Sequence, residues 1–201
     1  LLGDGLFTTR NSALRPESSD NINLGVKYEF NLTDTQTVSI DGNYLLRKST
    51  DFIRLDQASS QPVARQFVNI GDVTTNSFEL DIQYDWKQRL RAGVNLTYQD
   101  IVDQQEFLTI SNLGGDTRTR NFNFGFRVPN IPYLYGNVNL DYAFAKAETT
   151  KNQLNIGYSL NYVEEYFFTP NQIGANNQDN IPRQVSHNLR ASYSLADGKF
   201  N

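Results

Sequence analysis

Few side chains in this sequence could do covalent chemistry. His187 is the only histidine, and Ser186 precedes it, which invites a nucleophile-and-base pairing. Adjacent residues on an extended strand point to opposite faces, however, and the sequence places no carboxylate to orient the imidazole. His187 therefore reads as a strand-start histidine near a rim. Asp100, Asp103 and Glu106 offer oxygen ligands of the kind calcium takes, but without the glycine and terminal glutamate of an EF-hand loop, so a solvated acidic rim is expected. Gly114-Gly115-Asp116 is a turn signal and not a phosphate cradle, because no strand-to-helix context follows it. The absence of cysteine removes disulfides, thiolate catalysis and the usual zinc sites. The chain is read as no enzyme, with no catalytic residue, metal site or cofactor.

What remains is recognition chemistry. Arg54, Arg65, Arg118, Arg120 and Arg183 carry planar guanidinium groups, which suit carboxylate and catecholate oxygens. Tyr133, Tyr135, Tyr166 and Phe168 offer rings that stack on an aromatic or a sugar. All lie in or beside long polar connections, so the elements that hold those connections decide what these residues meet.

Those elements show in the hydrophobic period. From Ser77 to Trp86, Phe78, Leu80, Ile82, Tyr84 and Trp86 alternate with Ser77, Glu79, Asp81, Gln83 and Asp85. Successive side chains on a strand face opposite ways, so the segment has one apolar face and one polar, mostly acidic face. The pattern recurs at 20–32, 37–46, 90–99, 134–144, 154–162 and 188–195, which makes seven expected strands. No long stretch repeats at the helical period. The connections alternate in length. Thr33 to Gln36, Lys87 to Arg89, about eight residues from Ala145, and Ala196 to Lys199 are hairpin-sized. Ser49 to Asn76, Asp100 to Tyr133 and Thr169 to Ser186 are far longer.

Composition narrows the class. Of 201 residues, 38% are hydrophobic, and none of the roughly 18-residue apolar runs of a spanning helix is present. Membrane strands need no such run, because every second residue faces the lumen. The net charge of −4, with both signs interspersed, argues against a nucleic-acid partner. With no methionine and a start at Leu1-Leu2, the sequence reads as an internal piece of a longer protein.

Two all-β folds fit: an antiparallel up-and-down transmembrane β-barrel, or a soluble extracellular β-sandwich acting as a binding or adhesion module. Alternation of short and long connections favours the barrel, whose short turns face the periplasm and whose long loops face outside. Strands 20–32, 77–86, 134–144 and 188–195 would then descend toward the periplasm. Tyr28, Phe30, Tyr84, Trp86, Tyr142, Phe144 and Tyr193 would form an aromatic girdle at the inner membrane interface, with Tyr166, Phe167 and Phe168 at the outer one.

Several motifs carry a resemblance. Leu14-Arg15-Pro16-Glu17 followed by Ile22 to Tyr28, Asn69-Ile70-Gly71 followed by Phe78-Glu79-Leu80, Arg127 to Pro132 leading into Asn137 to Phe144, and His187-Asn188-Leu189 to Phe200 resemble the C-terminal half of a TonB-dependent outer-membrane receptor of the kind found in Bacteroidetes-type bacteria. Ser77 stands where the family usually has glycine. The resemblance covers nearly the whole chain and implies that residues 1–201 are part of a C-terminal transmembrane barrel of about 22 strands. The signal peptide, TonB box, plug domain and final strands would then lie outside this sequence. It further implies the Gram-negative outer membrane as location and active import of a scarce nutrient, such as a ferric siderophore, as function. The implied partners are membrane lipid, the remaining strands and plug of the same receptor, and TonB through the N-terminal region, with room for a surface lipoprotein. The loop arginines, tyrosines and Phe168 become candidates for contacting the ligand. A structural barrel subunit of an envelope complex is the other barrel reading.

Overall fold

The structure is a computed structural model that describes residues 7–60, 63–87, 89–112, 115–121, 123–144, 153–168 and 180–194. Every regular element among them is a strand. In chain order these are β1 (Phe7–Thr9), β2 (Ser18–Thr33), β3 (Gln36–Thr50), β4 (Ile53–Ser60), β5 (Val63–Asn69), β6 (Val73–Trp86), β7 (Leu90–Asp103), β8 (Phe107–Asn112), β9 (Gly115–Arg120), β10 (Leu134–Ala143), β11 (Gln153–Val163), β12 (Tyr166–Phe167), β13 (Asn180–Ile181) and β14 (Gln184–Ser194).

Seven of them form one sheet in the order β14-β11-β10-β7-β6-β3-β2, and they are the seven that alternation picks out. Each pairs with its neighbour in the series, so the topology is an up-and-down meander. β7, β10, β11 and β14 pair antiparallel in unbroken register. β2 at 16 residues and β3 at 15 exceed the roughly 9–11 residues a tilted strand needs to cross hydrocarbon. The β2–β3 turn is closed locally, with the Thr35 amide donating to Thr33 Oγ1 at 3.3 Å. At the next short turn Lys87 takes a left-handed φ of 46°, and its amide donates to Thr35 O at 2.9 Å, tying the two turns together.

The two faces of this sheet separate barrel from sandwich. A sandwich seals its apolar face under a second layer. Here the apolar side chains stay open on interior strands as well as at the edges: Val94 on β7 and Leu140 on β10 are each 40% exposed. Among the described residues the buried hydrophobic side chains are only Ile70, Val73, Val128 and Ala143, whereas Ser49, Thr75, Ser77 and Thr97, all of the polar parity, are buried. This inside-out distribution is that of a membrane barrel wall.

Contacts divide the chain into two compact units, Leu1–Ile22, Leu46–Asn76 and Asp100–Val128 in one, Asn23–Leu45, Ser77–Gln99 and Pro129–Asn201 in the other. In the first, the stretches read from sequence as loops are themselves paired. β4 and β5 make a hairpin with an irregularity between Gln57 and Ser59, β1 runs parallel to β5, and β8 pairs with β9 from Phe107↔Arg120 to Asn112↔Gly115. The turn expected at Gly114-Gly115-Asp116 falls between β8 and β9, with Gly114 itself outside the described residues. In the second unit β12 and β13 pair over two residues each. The turns expected from Ala145 and at Ala196 to Lys199 lie outside the described residues.

Candidate functional site

The residues that invited a catalytic reading disperse. Asn161 Nδ2 donates to Ser186 Oγ at 3.4 Å, while His187 Nδ1 is hydrogen-bonded to Tyr158 Oη at 2.8 Å. Ser186 opposes Asn161 and His187 opposes Leu160, so the two side chains belong to opposite faces of β14. Asp100 accepts from Arg127 Nε at 2.6 Å. Asp103 is buried and accepts from the Gln105 amide at 2.9 Å and from Asn121 Nδ2 at 3.1 Å, so it holds a chain corner together.

The arginines follow different fates. Arg54 and Arg65 lie on β4 and β5, Arg54 opposite Val68 and Arg65 opposite Gln57, and their side chains lie outside the described residues. Arg118 on β9 places its guanidinium carbon 4.0 Å from the Phe107 ring centroid, a cation–π contact. Arg120, also on β9, is exposed and pairs in register with Phe107.

Arg183 is engaged at the start of β14. Its Nε donates to Glu164 Oε1 at 2.9 Å, its guanidinium lies 5.9 Å from the Tyr162 ring centroid, and the Tyr162 hydroxyl donates to Glu164 Oε2. These two hydrogen bonds, Tyr162 first and Arg183 second, hold the Glu164 carboxyl below the usual carboxylate range. Tyr133 meets Tyr98 edge-on at 6.4 Å between centroids. Tyr166 pairs with Ile181 in β12, and Phe168 is exposed. Tyr98, Tyr162 and Glu164, which the sequence reading passed over, thus join Tyr133 and Arg183 near the end of β11. Tyr98 and Tyr162 were legible only as members of the apolar parity.

Register shows what each face of the sheet carries. On the apolar face, Leu96, Gly136, Tyr162 and Val185 stand level; below them come Val94, Val138, Leu160 and His187, then Ala92, Leu140, Tyr158 and Leu189, then Leu90, Tyr142, Ile156 and Ala191. From Leu96 to Leu90 is about 20 Å of strand at ~3.4 Å per residue, comparable with the roughly 25 Å apolar band of an outer-membrane wall. The aromatics expected at its lower margin gather there. Tyr142 and Phe144 are 4.7 Å apart and edge-on, Tyr193 pairs with Leu154, and Tyr28 lies 5.4 Å from Phe30. Tyr84 and Trp86 close β6, both half-buried.

On the polar face, Asn95, Asn137, Asn161 and Ser186 form one level, Gly93, Asn139, Ser159 and Asn188 the next, and Arg91, Asp141, Gly157 and Arg190 the third. Tyr135, opposite Thr97 and Val163, stands one level above the asparagines. The charges alternate and pair: Arg91 Nε donates to Asp85 at 3.0 Å and Arg190 Nη2 to Asp141 at 2.8 Å.

A family model described as TonB dependent receptor-like, β-barrel, matches residues 2–201. The chain belongs to the TonB-dependent receptor β-barrel family. Receptors of this family sit in the Gram-negative outer membrane, which places this chain there too. Solved structures with the same fold include the ferric yersiniabactin uptake receptor FyuA from Yersinia pestis, at 17% identity and a TM-score of 0.55 over 89% of this chain and 22% of that one. The siderophore receptor PiuA from Acinetobacter baumannii gives 16% identity and a TM-score of 0.57 over 86% of this chain and 22% of that one. The FrpB iron transporter from Neisseria meningitidis gives 16% identity and a TM-score of 0.55 over 94% of this chain and 26% of that one. The chain thus spans about a quarter of the length of the solved receptors it matches. No curated protein matches the chain in sequence.

Proposed function

We propose that this chain is a wall segment of an energy-coupled outer-membrane importer of a scarce nutrient, such as a ferric siderophore. The observation that carries the reading is the inside-out sheet: an apolar face open to hydrocarbon and a polar face of paired charges and amides suited to an aqueous bore. In this reading the edges of β2 and β14 pair with further strands of the same receptor, a plug fills the bore, and TonB pulls on the plug from the periplasmic side. The barrel performs no covalent chemistry. Arg118 and Arg120 in the first unit, and Arg183, Tyr133, Tyr135, Tyr166 and Phe168 in the second, are the proposed ligand contacts, each within its own unit, and residue type alone adds Arg54 and Arg65 to them. Tyr28, Phe30, Tyr84, Trp86, Tyr142, Phe144 and Tyr193 anchor the wall at headgroup height. The iron and siderophore receptors among the solved relatives make ferric chelates the first ligands to try.

The test is uptake by cells that express the full-length receptor, with and without a functional TonB complex. Nutrient accumulation that vanishes when TonB is removed supports the reading. Accumulation independent of TonB, or none for any nutrient class, removes it.

A further inference from the structure

Within the first unit, the chain before β2 leaves the place an up-and-down meander would give it. β4 follows β3 after two residues and β6 follows β5 after three, so the β4/β5 hairpin prolongs the β3/β6 pair beyond a joint at residues 51–52 and 70–72. β2 lies beside β3 on the side away from β6, whereas β1 lies beside β5 on the side away from β4. Residues 10–17, which join β1 to β2, therefore pass across the neck of the hairpin from its β5 edge to its β3 edge.

Hydrogen bonds mark the crossing step by step. Asn11 Nδ2 donates to Phe67 O of β5 at 2.9 Å. The Arg15 amide donates to Asn69 Oδ1 at the end of β5 at 2.9 Å, and Arg15 Nε donates to Asp51 Oδ1, in the other limb of the joint, at 3.0 Å. Glu17 Oε2 accepts from the Ile53 amide of β4 at 3.1 Å, and Ser18 Oγ meets Thr50 Oγ1 of β3 at 2.6 Å. Asn69 is the hub: it accepts from Arg15 N and donates to Arg15 O and Asp51 O, so one side chain joins β5, the crossing segment and the opposite limb. Pro16 has no N–H for a sheet ladder and keeps Arg15 extended, which suits a segment that crosses strands without pairing with them. Leu14-Arg15-Pro16-Glu17 and Asn69-Ile70-Gly71, far apart in sequence, meet at this crossing.

The joint itself is a corner in both limbs. Asp51 at φ 56° and Gly71 at φ 97° are each left-handed, and the limbs are bridged where the Phe52 amide donates to Gly71 O and the Ile70 amide to Phe52 O. An exposed ion pair such as Arg15–Asp51 contributes little alone, so the neutral bonds of Asn69 carry the hold. We infer that residues 10–17 are a strap that sets the angle of the β4/β5 hairpin on β3 and β6, and that releasing the strap lets the hairpin swing as one piece about the joint. Arg54 and Arg65 ride on that hairpin, so the strap also decides where two of the proposed ligand contacts stand. That consequence rests on the importer reading; the swing does not.

The test is pulsed electron–electron distance measurement on the full-length receptor in bilayers, any other cysteine replaced, with nitroxides at Lys48→Cys near the outer end of β3 and Ser60→Cys at the end of β4. The strapped hairpin should give one narrow distance. Asn69→Asp keeps the size of the hub but replaces its two N–H donors by an acceptor that faces two carbonyl oxygens. Combined with Arg15→Ala, it should make the distance distribution roughly double in width, while hydrogen exchange of the β4 and β5 amides stays within about threefold of wild type. A distribution as narrow as wild type overturns the strap. Loss of β4 and β5 protection together with the narrow distance overturns it too, because the hairpin would then melt and not swing. A hairpin that swings on release, in a receptor whose uptake ignores TonB, keeps the strap and removes the importer; TonB-dependent uptake by a receptor whose hairpin stays fixed in the variant does the reverse.

Discussion

Glu164 collects a tyrosine hydroxyl and a guanidinium on one carboxylate, and that concentration has a pH signature. Its carboxyl is held below the ordinary value, so the stabilisation is present above the usual glutamate value of about 4.3 and is lost as pH falls through the lowered folded value. Glu164→Gln should therefore loosen the start of β14 and the end of β11 at neutral pH. The difference from wild type, read as hydrogen-exchange protection of residues 160–168 and 180–188, should shrink toward zero in acid. An undiminished difference in acid would mean that the carboxylate charge is not what holds the cluster. Arg183 shows what a sequence can and cannot say at this scale. Its residue type announces anion recognition, but its partner lies 19 positions away, and only strand register brings the two level. His187 was legible for a related reason: period-2 geometry alone separates it from Ser186. Its bond to Tyr158 depends on the pairing of β11 with β14.

The seven long strands could be read from sequence because one of their faces is apolar, and alternation records a face. The hairpins β4/β5 and β8/β9 could not. Segments such as GDTRTR, the whole of β9, are polar on both faces, so their pairing leaves no hydrophobic period and is set by backbone hydrogen bonds and corners. One such corner is Gly71, at φ 97°, where a Cβ would collide with the Gln105 side chain. Gly71→Ala should destabilise this unit by about 1–3 kcal/mol, the usual cost of forcing a side chain into such a conformation. Hydrogen exchange across 50–72 measures it, and protection equal to wild type would show that the corner has another conformation open to it. A second corner is held by Asn69, whose Nδ2 donates to Arg15 O at 3.0 Å and to Asp51 O at 2.6 Å, while Arg15 pairs with Asp51. Asn69→Ala should free residues 11–17 to proteolysis, read as new cleavage in that segment on brief protease exposure. An unchanged digest would assign their order to other contacts.

As a whole, the molecule is a wall that needs neighbours. Among the described residues β2 and β14 each have a strand on one side only, and in hydrocarbon every unpaired backbone group costs several kcal/mol. Strands from the rest of the receptor are the natural complement. The apolar face makes an energetic prediction at the same scale. Leu140→Arg, near the middle of the band, should reduce stability in lipid vesicles by roughly 2–4 kcal/mol, whereas Asn23→Arg, on the polar face of β2, should cost little. Equal losses would mean that the two faces do not meet different solvents. The 201 residues contain no cysteine, so, with any cysteine elsewhere in the receptor replaced, single cysteines can carry a nitroxide one site at a time. The most direct measurement is the accessibility of that label in the full-length receptor in bilayers, to oxygen dissolved in lipid and to a water-soluble nickel chelate, at successive positions from Val138 to Asp141 and from Asn188 to Ala191. Oxygen access should peak at Val138, Leu140, Leu189 and Ala191 and chelate access at Asn139, Asp141, Asn188 and Arg190; labels on both parities reporting one and the same environment would contradict a membrane wall.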